Sequence, residues 1–102
     1  MSVKSEVRRL ARDWSRLVEV RLTPRQLFEL AAEVGACVRS RDRGEMDDAD
    51  FKKAVRITVE NWDSDHRLTT TEFSVGPRGV SVADPSSDLA DDIVEALAWS
   101  GG

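Results

Sequence analysis

One cysteine, one histidine and three prolines occur in 102 residues, and no long apolar run occurs at all. A single thiol, Cys37, excludes an intrachain disulfide and suits a reducing, cytosolic setting. Without a long apolar stretch, no segment reads as a transmembrane helix. Without a basic start leading into an apolar core, none reads as a secretory signal. His66 and Cys37 together offer too few soft ligands for a structural zinc site. There is no glycine-rich phosphate loop either: Gly76-Pro77-Arg78-Gly79 lacks the strand-loop-helix setting that places phosphates at a helix start. No metal and no cofactor is therefore expected, and no cluster of catalytic residues stands out, so the chain does not read as an enzyme.

What is present is charge and amphipathic pattern. Apolar residues are 40% of the chain and charged residues 33%, a globular composition. A chain of this size supports one domain, residues 1–102, with a single core. The net charge of −4 is divided unequally. Residues 1–43 hold ten Arg/Lys against six Asp/Glu, whereas residues 44–102 hold five against thirteen. Such polarity suits two halves that face each other, or an interaction surface.

The first helix is read from Val3, Val7, Leu10, Trp14 and Leu17, the one-sided stripe of an amphipathic helix, with Ser2 as its N-cap. Val18, Val20 and Leu22 then alternate with Glu19, Arg21 and Thr23, which predicts a short strand, although the stripe also allows the helix to run on. Thr23-Pro24 opens a second helix through Leu27, Phe28, Ala31, Val34 and Val38, ending near Ser40. Residues 39–50 read as a charged loop, in which Asp47 or Asp48 starts a short helical turn. Val55, Ile57 and Val59 predict a strand, Asn61 to His66 a polar turn, and Leu68 to Val75 a second strand. A hairpin loop at residues 76–79 leads to a strand at Val80 and Val82. Proline at 85 ends it, and Ser86 or Ser87 caps a last helix carrying Leu89, Ile93, Val94, Ala96, Leu97 and Trp99. The expected fold class is α+β: an α-β-α-β-β-β-α order, with one antiparallel sheet of three to four strands and helices packed on one face.

Several motifs approach a chemistry and stop short. The loop from Asp42 to Phe51 resembles half of a calcium-binding EF-hand loop, but the first three ligand positions fall on Arg39, Arg41 and Arg43, where a cation needs carboxylates. Gln26 to Arg41 resembles the front of a helix-turn-helix, yet Arg41 and Gly44 fall where the recognition helix would need buried apolar residues. A Cys37–His66 nucleophilic pair requires a fold that joins them, and a buried cysteine beside Val38 is the simpler expectation. Asp88, Asp91, Asp92 and Glu95 share one side of the last helix and read as a solvated acidic face.

The sharpest feature is Lys4, Arg8, Arg12 and Arg16. Spaced four apart, they form a continuous basic ridge on the first helix, with Arg9 alongside. No aromatic residue interleaves it, so a stacking platform for single strands is not indicated. The leading expectation is a small non-enzymatic protein-binding module of the inhibitor, immunity, adaptor or phage-regulator kind. These four residues would dock on an acidic protein partner, where arginine forks suit carboxylates. A nucleic-acid-binding regulator using the same ridge with Arg39, Arg41 and Arg43 is the alternative, opposed by the acidic pI near 5.0. A metal-dependent hydrolase or nuclease using the carboxylates of residues 42–50 is weaker still. The heptad-like stripe of the first helix also suits a homodimer.

Overall fold

Helical spacing governs more of this chain than its alternating valines suggest. A computed structural model describes residues 3–69, 72–77 and 79–100. In chain order it has α1 (Val3–Leu17), α2 (Pro24–Asp42), α3 (Asp48–His66), β1 (Glu72–Gly76), β2 (Gly79–Ala83) and α4 (Pro85–Ser100). The fold is mostly α-helical, with a single short antiparallel strand pair among the described residues. The expected α+β sheet of three to four strands is not formed. The Ser2 cap, the Thr70–Thr71 part of a strand, Arg78 in the hairpin loop and the side chain of Trp99 lie outside the described residues.

Two of the expected strands belong to helices or their ends. The Val18–Leu22 alternation is a helix stop: the Val20 N–H donates to the Ser15 carbonyl at 2.9 Å, and Glu19 adopts a left-handed φ of 57°. This bonding closes the last turn in the Schellman manner. Val18 and Leu22 then pack against the core from either side of the turn, which is what their spacing records. Val55, Ile57 and Val59 sit in the middle of α3. Their branched side chains favour strands intrinsically, but Phe51, Val55, Val59 and Trp62 repeat at helical spacing and all are buried. Ile57 is left half-exposed on another face. Burial of that stripe outweighs the weak local preference. Asn61–His66, expected as a turn, is the end of the same helix.

The charged stretch 39–50 is mostly helical too. Between α2 and α3 only residues 43–47 remain, with Gly44 at φ 77° and the Glu45 N–H bonded to the Ser40 carbonyl. Asp47 caps α3 by accepting from the Asp50 N–H at 2.8 Å. The Thr23-Pro24 opening of α2 forms a full capping box with Gln26. At α4 the proline begins the helix, and Asp84 rather than a serine caps it, accepting from the Ser86 N–H at 3.0 Å.

The four helices form a ring. α1 packs on α2 and α4, and α3 packs on the same two. Short connections make α1, α2 and α3 successively antiparallel. Trp14 near the end of α1 bonds to Pro85 at the start of α4, so α4 also runs against α1. Inside, Val7, Ala11, Leu30, Ala31, Val34, Val55, Val59, Leu89, Ala90 and Ile93 are almost wholly removed from water. At one end the tryptophans of the two diagonal helices meet, with ring centroids 5.8 Å apart. The Trp14 Nε1–H donates to the Pro85 carbonyl and the Trp62 Nε1–H to the Gln26 carbonyl, both at 2.9 Å. Two side chains thus join all four helices, each with its polar atom satisfied. The hairpin leaves from this end. The Cα atoms of β1 and β2 neighbour each other and those of no helix.

Gly35 is buried in α2 where it faces α1. A Cβ built there would meet the Arg39 Nη1 at 3.6 Å and the Lys4 Cε at 3.9 Å, ordinary contacts with flexible side chains. Gly35→Ala is therefore expected to stabilise the fold by roughly 0.5–1 kcal/mol, as helical alanine does over glycine. A urea midpoint that falls instead would show that the helices need the space a Cβ would occupy.

Candidate functional site

The basic ridge lies on α1 as its spacing requires. Lys4, Arg12 and Arg16 are exposed, and Arg8 is half-buried with its Nε–H donating to the Lys4 carbonyl at 3.3 Å. No carboxylate among the described residues forms an ion pair with any of the four. Arg9 behaves differently: it bonds Glu6 at 2.5 Å and reaches Asp13 at 3.6 Å. The hydrogen bond from Arg9 holds the Glu6 carboxyl below its ordinary value of 4.5 and keeps the guanidinium more firmly charged. A depressed carboxylate stabilises the native state above its unfolded pKa, and that contribution fades as pH falls through the folded value. The pair lies at the surface, with the Arg9 side chain well exposed, so solvent screening keeps the contribution small.

The ridge does not end at α1. Lys4 and Arg39 both come within 4 Å of the same point above Gly35, one from each helix. Because α1 and α2 are antiparallel, Arg8 and Arg12 continue from Lys4 toward the start of α2. Phe28, Ala32, Gly35 and Arg39 share one stripe of α2, spaced four, three and four apart, facing that ridge. Phe28, about two turns before Gly35 on that stripe, is 61% exposed. Sequence periodicity places both Phe28 and Leu17 in the core. Leu27 takes the inward position next to Phe28, and Leu17 is 83% exposed at the end of α1. On α2 the buried residues Leu27, Leu30, Ala31, Val34 and Val38 centre on Leu27, and Phe28 lies about 100° from that centre, which is the available signal for Phe28. The joining of Arg39 to Lys4 across two helices had none.

The remaining sequence candidates are drawn into structural contacts. The Cys37 Sγ lies 3.6 Å from the Thr58 Oγ1, and the His66 Nε2 lies 2.7 Å from the Glu29 Oε2, also edge-on to Trp62. Thr58 and His66 are two turns apart on α3, so Cys37 and His66 are not brought together. Both polar contacts instead cross the α2–α3 seam. Asp63, nearly buried, accepts from the Thr69 N–H at 2.9 Å and the Thr69 hydroxyl at 2.5 Å.

In the 42–50 stretch, Glu45 pairs with Arg43 and Asp47 is the cap of α3, while Arg41 stacks over Phe51 at 4.2 Å. Among the described residues no group of three histidine, cysteine or carboxylate side chains is arranged to hold a metal ion. α2 runs unbroken through Gly35 to Asp42, so the turn of a helix-turn-helix does not occur there. On α4, Asp88, Asp91, Asp92 and Glu95 are all exposed, and Asp91 pairs with Arg56 of α3. The acidic helix borders the basic one, yet no ion pair joins α1 to α4 among the described residues. No described helix is long and apolar enough to cross a membrane.

Comparison of the chain with protein-family models, with curated proteins and with solved structures returns no match.

Proposed function

We propose that this protein is a small non-enzymatic binding module that docks on an acidic surface of another protein through Lys4, Arg8, Arg12 and Arg16. The observation that carries this reading is the difference between Arg9 and its neighbours. Arg9 is matched by two carboxylates, while none among the described residues pairs with the four ridge cations. Aligned cations at this spacing repel by a few tenths of a kcal/mol per pair, so the ridge is a small local cost that an external anion would relieve. The engagement of Cys37 and His66 in helix-helix contacts supports binding rather than catalysis. The acidic stripe of α4 and a pI near 5.0 favour a protein over a nucleic acid, because a phosphate binder is usually basic overall.

The test is a titration by fluorescence anisotropy of labelled poly-L-glutamate and labelled duplex DNA, at low and near-physiological salt. Wild-type protein should bind poly-L-glutamate at low salt, and salt should weaken it steeply. Arg8→Glu, Arg12→Glu and Arg16→Glu combined should reduce that affinity by about tenfold or more with the helical circular dichroism unchanged. Equal binding by the triple variant would remove the ridge from the mechanism. Tighter binding to DNA than to poly-L-glutamate would transfer the ridge to nucleic acid.

A further inference from the structure

The geometry points to a specific docking groove between α1 and α2 that takes an acidic amphipathic peptide helix with an apolar anchor; it rests on the binding reading above and names the chemistry of the partner. One wall is the ridge of Lys4, Arg8 and Arg12. The other is the α2 stripe that begins at Phe28 and ends at Arg39. Between Phe28 and Arg39 that stripe carries only the small residues Ala32 and Gly35.

Three observations converge on this surface. Lys4 and Arg39 approach the same point over Gly35 from different helices, with no carboxylate paired to either among the described residues. The two cationic side chains converge there through the Arg39 Nη1 and the Lys4 Cε, so an anion above Gly35 lies within reach of both. Arg8, half-buried beside them, extends the positive wall along the groove. Phe28 then stands 61% exposed in line with the same groove, a large aromatic side chain left in water at the edge of a charged surface.

Together these make a pattern of apolar anchor at one end and cations toward the other. An amphipathic acidic helix matches it, laying carboxylates on Lys4, Arg8 and Arg39 and an apolar residue on Phe28. A duplex would use the cations equally but keeps its bases stacked inside the helix, so it has no free base face to lay on Phe28.

The probe is a labelled acidic peptide with glutamates at helical spacing and leucine on the adjoining face, compared with a twin in which serine replaces leucine. Wild-type protein should bind the leucine peptide about tenfold tighter than the serine twin, the gain expected from burying one such side chain. Phe28→Ala, a change at an exposed position, should erase that difference and leave the serine twin's affinity unaltered. Arg39→Glu should weaken both peptides. Equal affinity for the two peptides, or indifference to Phe28→Ala, would overturn the groove even if the triple ridge variant still loses binding. Loss of effect in the triple variant would instead overturn the ridge reading beneath it. Sedimentation showing that the chain pairs with itself, and that Arg39→Glu stops this, would make the occupant a second copy and overturn the peptide.

Discussion

Trp62→Ala is expected to destabilise the protein by about 3–5 kcal/mol, the range for emptying a buried aromatic position. Trp62 is 2% exposed, lies against the Trp14 ring at 5.8 Å, and packs edge-on to His66. Its indole also holds the Gln26 carbonyl at the start of α2, so truncation opens a cavity and removes a cross-helix hydrogen bond together. Domains of this size have about 5–15 kcal/mol in all, and each kcal/mol shifts Tm by several degrees. The thermal midpoint should fall by roughly 15 °C or more. Trp62→Phe keeps most of the apolar volume and loses the N–H, so it should cost nearer 1–2 kcal/mol. Urea denaturation followed by circular dichroism separates the two variants. Equal costs would mean that the hydrogen bond, and not the packing, dominates at this position.

Asp63→Ala is expected to cost about 2–3 kcal/mol, through a different mechanism. The carboxylate accepts the Thr69 N–H and hydroxyl, while the Asp63 carbonyl takes the Leu68 N–H. These bonds turn the chain out of α3, past Arg67 in its left-handed conformation at φ 51°, toward the hairpin. A charged acceptor makes such bonds stronger than neutral ones, and alanine leaves the Thr69 N–H without its partner. Asp63→Asn retains one acceptor oxygen and should lose about half as much. Hydrogen exchange gives the sharper readout: amides of residues 67–69 should lose protection in Asp63→Ala before those in the middle of α3. Uniform loss across the helix would place the role of Asp63 in the core instead of the turn.

Where local signals were strong, the chain could be read directly. Val7 and Trp14 of α1, the Thr23-Pro24 start of α2, the hairpin around residues 76–79 and the apolar stripe of α4 all appear where pattern put them. The failures share a cause. In Val18–Leu22 and Val55–Val59, apolar residues two apart fit both a strand and a helix, and a five-residue window contains too few to choose between periods of two and 3.6. Only the longer stripe through Phe51 and Trp62 resolves α3. Trp62 was missed because it is surrounded by Asn61, Asp63, Ser64 and Asp65, which read as a turn. In the helix those polar neighbours fall mostly on the outer side, and the one turned inward, Asp63, is satisfied by Thr69.

The candidate site divides the same way. Lys4, Arg8, Arg12 and Arg16 are a ridge by spacing alone, because a helix with this period must align them. Linear order also determined the net charge, its polarity between the two halves, and the single unpaired thiol. Tertiary structure decided that Arg9 is neutralised while its neighbours are not, that Arg39 joins Lys4 over Gly35, and that Phe28 faces water. It also decided that His66 and Cys37 belong to separate contacts on the α2–α3 seam. Those outcomes depend on which faces of separate helices meet. A helix's own periodicity fixes the angles between its residues but not the neighbour each face is turned toward.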